Sequence, residues 1–288
     1  GERTSLVAWL IQNTSSGLVV GALGVTLGIS LAALIYGTDL EPFLARGIGL
    51  VLLGSAVLSL VVSALTSVPG MFASTQDAPA AVLGALSAAL GVQLVGGVAL
   101  VGEERFFTTL AIVAASALAT GVLFLIFGLF RLGNLVRYLP YPVLGGFMAG
   151  TGWLLLTGGI GIMANVRPSL GYLNDLFAPG VAVMWVPGVT LAVVLLIATR
   201  VYKHFLVWPV AVLGATVLFY ATMFFAGGSV ESWRQRGLML GPFPAGSMVA
   251  PPAAWELEAV RWEVVAGHLP TIATVAFIAL IALLLNAV

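Results

Sequence analysis

The sequence predicts an all-α polytopic membrane protein. Of its 288 residues, 60% are hydrophobic and only 8% are charged, against roughly 25% charged in soluble chains. Mean hydropathy is +1.13. Apolar runs recur at lengths suited to bilayer spans of about 20 residues. One stretch, Thr66 to Val92, breaks that pattern at membrane depth. The formal net charge is zero, so no basic face invites nucleic acid. The chain has no cysteine, which excludes a disulfide framework and a thiolate metal site.

The elements follow in order. Gln12 to Ser16 are polar and are read as the cap of span 1, about residues 17–36. Gly24 and Gly28 give that span a small-residue face for close contact. Thr26 and Ser30, four apart and so on one face, are its main polar groups. They either line a site or bond their own i−4 carbonyls. A turn from Gly37 to Pro42 leads to span 2, about 45–65.

The third span is broken. Pro69 and Gly70 end the helical pattern, and five residues of extended character follow, Met71 to Thr75. Gln76 and Asp77 come next. Pro79 then opens an Ala/Leu half-helix reaching about Val98. Non-helical backbone at this depth is tolerated only where protein buries it or where it lines a cavity. The half-helix start presents free N–H groups and a positive dipole end, the pattern that marks binding sites in secondary transporters. Phe72 and Ala73 are read as its apolar wall. Gln76, Asp77 and Ala78 are read as solute contacts, with helix capping as the alternative role of Asp77.

Glu103, Glu104 and Arg105 are read as a water-exposed turn before span 4, about 106–130. Pro140 and Pro142 start span 5, which ends near Met163. A connector with a short helix around Tyr172 to Phe177 precedes span 6, about 183–199, and span 7, about 207–225. A long polar loop reaches His268, and span 8 runs from about Leu269 to Val288. Asn286 in that span is read as approaching the same cavity. The apolar ending, without flanking charge, is read as the interior of a longer chain. Arg131, Arg137, Arg200 and Lys203 follow spans 4 and 6 without an acid, which places those turns and the N-terminus in the cytoplasm. His204 and His268 lie too far apart in this topology for a metal site. No cofactor is implied. No nucleophile–base pair or phosphate loop suggests an enzyme.

Two motifs carry a family resemblance. Gln76-Asp77-Ala-Pro-Ala-Ala81 and Leu135-Val-Arg-Tyr-Leu-Pro-Tyr-Pro-Val-Leu-Gly-Gly-Phe-Met-Ala-Gly-Thr-Gly-Trp153 resemble the SulP family, the sulfate permeases or solute carrier family 26. Leu283-Leu-Leu-Asn-Ala287 fits that family's eighth span. The resemblance implies fourteen spans in two inverted seven-span repeats, a mobile core moving against a gate, usually a homodimer, and a cytoplasmic STAS domain. This chain matches spans 1–8 only. It then divides into core spans 1–4 (1–131), gate spans 5–7 (132–226), an extracytoplasmic loop (227–268) and span 8 of the core (269–288). The implied function is elevator-type secondary transport of small inorganic or organic anions such as sulfate or bicarbonate across the lipid bilayer. Asp77 departs from the pattern of the family's anion carriers. A protonatable Asp77 suits proton coupling. An ionised one suits cationic or zwitterionic solutes such as amino acids. A non-transporting scaffold subunit is the remaining alternative.

Overall fold

The computed structural model describes residues 6–37, 40–68, 73–91, 94–95, 98–133, 140–165, 173–203, 207–239 and 253–286. Its helices are α1 (Leu6–Tyr36), α2 (Leu44–Leu65), α3 (Asp77–Leu90), α4 (Gly102–Leu129), α5 (Tyr141–Ala164), α6 (Leu173–Leu176), α7 (Pro179–Val201), α8 (Val207–Phe225), α9 (Val230–Gln235), α10 (Trp262–Gly267) and α11 (Leu269–Asn286). Among the described residues, five segments are long and apolar enough to cross a membrane: Ser16–Tyr36, Glu41–Leu65, Gly102–Leu129, Tyr141–Ala164 and Pro179–Val201. Helices α3, α8 and α11 are shorter apolar segments. The fold is that of an all-α polytopic membrane protein. Its exposed Leu60, Leu118, Leu125 and Phe224 suit contact with lipid rather than water.

The boundaries depart from expectation in four places. Helix α1 already runs at Leu6, so Gln12 to Ser16 lie inside it instead of capping it. Polar residues are tolerated there because the helix supplies its own backbone bonds beyond the hydrocarbon. The half-helix ends at Leu90, not near Val98, with Gly91 at its C-cap. Two short strands, β1 (Leu94–Val95) and β2 (Val98–Ala99), then pair antiparallel. The segment before α3 is non-helical from Ala73 to Gln76 and joins no strand, while Met71 and Phe72 lie outside the described residues. Finally, Glu103 to Arg105 form the first turn of α4, and Arg105 is buried.

The chain falls into two compact units. One comprises Gly1–Ser30 and Ser169–Pro244. Within it α7 packs on α6 and α8. The Trp185 indole N–H donates to the Leu176 carbonyl at 2.9 Å, tying α7 to the connector helix. The Ser229 hydroxyl caps α9 by accepting from the Ser232 amide.

The other unit comprises Leu31–Pro168 and Ala245–Val288. Here α4 packs along α11, and α3 packs against α5, α11 and α4. The small buried residues of α3, among them Ala78, Ala80, Ala81 and Gly84, permit this close approach. At Gly84 α3 also meets the end of α1: a Cβ would stand 2.8 Å from Leu34 Cγ and 2.9 Å from the Leu34 carbonyl oxygen. Tyr36, Phe43 and Phe106 form a ring cluster with centroids 5.4 and 5.0 Å apart, in which Tyr36 and Phe106 are fully buried.

Candidate functional site

The break between α2 and α3 defines the candidate site. A helix start leaves four backbone N–H groups without an intrahelical acceptor, from the N-cap to the third helical residue. Here these positions are Gln76, Asp77, Ala78 and Pro79. Gln76 is the N-cap, in extended conformation (φ −90°, ψ 135°), and its side chain makes no capping bond. Pro79 has no N–H to offer. The Ala78 amide donates to Oδ1 of Asp77 at 2.8 Å. Only the amides of Gln76 and Asp77 remain of the four. The half-helix therefore opens with fewer free donors than the sequence suggests.

Asp77 is the first helical residue, not the cap. Its carboxylate is well placed at the positive dipole end. The residue is exposed, whereas Ala78 beside it is only 3% exposed. One oxygen serves the Ala78 amide, which leaves the second oxygen of the exposed side chain available. Gln76, half-buried, stands next to it.

The carbonyl side of the break has its own solution. The Ser59 hydroxyl on α2 donates to the Ala73 carbonyl, fourteen residues on in sequence. At its far end, α3 meets Arg105. The Arg105 guanidinium donates from Nη2 to the Ser87 carbonyl at 2.8 Å and lies against Gly91, where a Cβ would stand 2.5 Å from it. A cation in this position complements the negative end of the helix dipole. Neither Ser59 nor Arg105 stands out as a site residue in sequence. A four-residue period of serines in α2 (Ser55, Ser59, Ser63) is the available signal for the first. Arg105 is hidden in what looks like a solvated charge run.

The segment before α10 is strapped to the same unit. Arg46 forms a two-pronged pair with Glu256, at 2.8 and 2.7 Å, and its guanidinium lies 5.2 Å from the Phe107 ring centroid. Hydrogen bonding from Arg46, and next the Ala253 amide, hold the Glu256 carboxyl down at about 2. Arg261 pairs with Glu104 at 3.0 Å, and its amide donates to the buried Thr108 hydroxyl at 3.1 Å.

The other sequence candidates are placed as follows. Thr26 and Ser30 donate to their own helix, to the carbonyls of Ala22 and Thr26 at 2.9 and 3.0 Å, the alternative role weighed for them. They belong to the other compact unit. Ala73 is half-buried. Phe72 lies outside the described residues, as does the side chain of Asn286, which ends α11. Among the described residues no three His, Asp or Glu side chains gather as a metal site would require.

Comparison with known proteins gives three findings. Over 196 residues the chain is 27% identical to the vacuolar basic amino acid transporter VSB1 of Saccharomyces cerevisiae, covering 64% of this chain and 18% of that protein. The chain thus spans less than a fifth of that relative. No solved structure matches it. Residues 10–288 match the sulfate permease family. With nearly the whole length matched, and with the broken third span and the Pro140–Trp153 motif inside it, the chain belongs to the sulfate permease family.

Proposed function

We propose that this chain is the solute-holding part of a secondary active transporter, and that the solute is a cationic amino acid. The observation that carries the reading is the exposed Asp77 carboxylate at the first position of α3. An anion at this helix start would meet a carboxyl side chain and only two of the four usual amides. A cation would meet the carboxylate oxygen left over from the Ala78 amide. The similarity to the yeast vacuolar basic amino acid transporter supports the same solute class. Arginine or lysine could place its cationic head on Asp77 and an amide-accepting group on Gln76.

Transport proceeds in this reading by alternating access, with the half-helix moving relative to the remaining spans. Asp77 couples a proton when it exchanges solute for H⁺. The basic turns after α4 and α7 support a cytoplasmic N-terminus.

The test is uptake of radiolabelled arginine by the full-length protein in proteoliposomes, comparing wild type with Asp77→Asn. The asparagine keeps an oxygen for the Ala78 amide and removes the charge. A pair of unit charges about 4 Å apart is worth about 4 kcal/mol at an effective dielectric of 20. Exposure reduces this to about 0.2–1 kcal/mol, so KM for arginine rises up to about five-fold. Unchanged arginine uptake would overturn the reading. A second reading, anion transport, has the family membership and the remaining Gln76 and Asp77 amides in its favour. It requires sulfate uptake that is retained or enhanced in Asp77→Asn.

A further inference from the structure

We infer that Ser59 is a positioning residue for solute binding: its hydroxyl pins the non-helical segment from which α3 starts, and so sets where Asp77 and Gln76 stand. The inference rests on the reading of α3 as the solute site.

Hydroxyls in membrane helices ordinarily turn back onto their own i−4 carbonyl. The neighbours of Ser59 do so. Ser55 donates to Val51 at 2.8 Å, and Ser63 donates to the Ser59 carbonyl at 2.6 Å. On α4 and α5, Thr120 and Thr157 follow the same rule. Ser59 departs from it. Its proton goes across to the carbonyl of Ala73.

The acceptor explains the departure. Ala73 lies in the stretch before the helix, where no i+4 amide can reach its carbonyl. Unsatisfied backbone is costly at membrane depth. One hydroxyl at this level of α2 removes that defect, and it does so at a fixed point on a regular helix. From Ala73 to Asp77 there are four peptide steps, about 13 Å of extended chain. Pinning Ala73 therefore restricts the origin of α3 and with it the direction of the Asp77 carboxylate. Side chains that touch a solute need such a support to hold their geometry. Ser59 touches the backbone alone and acts through it.

The experiment compares wild type, Ser59→Ala, Ser59→Thr and Ser63→Ala, all as full-length protein in lipid nanodiscs and proteoliposomes. Amide hydrogen exchange is read at Ser74, Thr75, Gln76 and Asp77, and KM and kcat are read for arginine and for sulfate. In Ser59→Ala, exchange at these amides accelerates about three- to ten-fold, the worth of one neutral hydrogen bond. KM for the transported solute rises by a similar factor, with kcat changed less than two-fold. Ser59→Thr restores both, since it keeps the donor. Ser63→Ala resembles wild type, because its hydroxyl serves only its own helix. A lowered melting temperature in Ser59→Ala with unchanged KM and unchanged exchange would make Ser59 a packing residue and overturn the inference. So would equal effects from Ser63→Ala. If wild type moves neither arginine nor sulfate while exchange still responds to Ser59→Ala and recovers in Ser59→Thr, the proposed solutes fail and the pinning role stands.

Discussion

Close packing of α1 on α3 predicts a sharp difference between two single-methyl substitutions. At Gly84 a Cβ would stand 2.8 Å from Leu34 Cγ and 2.9 Å from the Leu34 backbone oxygen. The side-chain atom can rotate away, but the backbone oxygen cannot, so α1 and α3 must separate. Overpacking of this kind costs about 1–3 kcal/mol. Gly54, on the exposed face of α2, would meet nothing within 4 Å. Replacing a helical glycine by alanine gains about 1 kcal/mol in helix propensity at either site. That gain is common to both variants, so Gly84→Ala minus Gly54→Ala isolates the clash at about 1–3 kcal/mol. For a chain of this size each kcal/mol shifts the melting temperature roughly 2–4 °C. Gly84→Ala should therefore melt about 2–12 °C below Gly54→Ala, read by intrinsic tryptophan fluorescence in the same detergent. Melting points within about 1 °C of each other would refute the reasoning, since α1 and α3 would then be free to separate at no cost.

Two further outcomes follow. The Glu256 carboxyl titrates at about 2 in the folded protein against an ordinary 4.5, so its pair with Arg46 stabilises fully above about pH 4.5 and loses that contribution as pH falls toward 2. Melting of wild type against Glu256→Gln across that window should converge at the acid end, and a constant gap would contradict the assignment. Arg105→Met removes a charge-assisted hydrogen bond from the last turn of α3, a bond worth about 1.5–3 kcal/mol. Amide exchange at residues 88–91 should accelerate about ten- to hundred-fold, whereas exchange confined to wild-type rates would show that Arg105 does not hold the helix end.

Much of the fold is legible in the residues because hydropathy and breakers both act locally. Helix α8 spans Val207–Phe225, the apolar run between a basic turn and Ala226. Helix α2 ends at Leu65, just ahead of the Pro69–Gly70 pair. The failures share a physical cause: they turn on which partner a side chain finds, not on its own character. Arg105 sits beside two acids and looks solvated, yet it is 5% exposed, with the Ser87 carbonyl near the end of α3 accepting from its guanidinium. Gln12 to Ser16 look like a cap, yet a cap is needed only where a helix begins, and α1 began earlier. At the candidate site the break itself is legible, since the helix restarts at Asp77 after Gln76. Which of the two is the first helical residue is not, because Pro79 is compatible with several starts.

The two halves of the break are satisfied by different means, and this shapes what a solute can meet. Ser59 takes the exposed carbonyl of Ala73, and Asp77 takes the amide of Ala78. Pro79 removes a third donor by having none. A helix start treated in this way has lost two of the four donors that would attract an anion, one of them to a carboxylate. What remains uncommitted is the second oxygen of Asp77, the amide group of Gln76 and two backbone N–H groups. That set has acceptors for a cationic head and donors and acceptors for a polar tail. Sulfate offers only acceptor oxygens and two negative charges, so it would use the two amides and be repelled by the carboxylate. Under the proposed reading the choice of solute turns on Asp77, and neutralising it in Asp77→Asn should shift the preference from arginine toward sulfate.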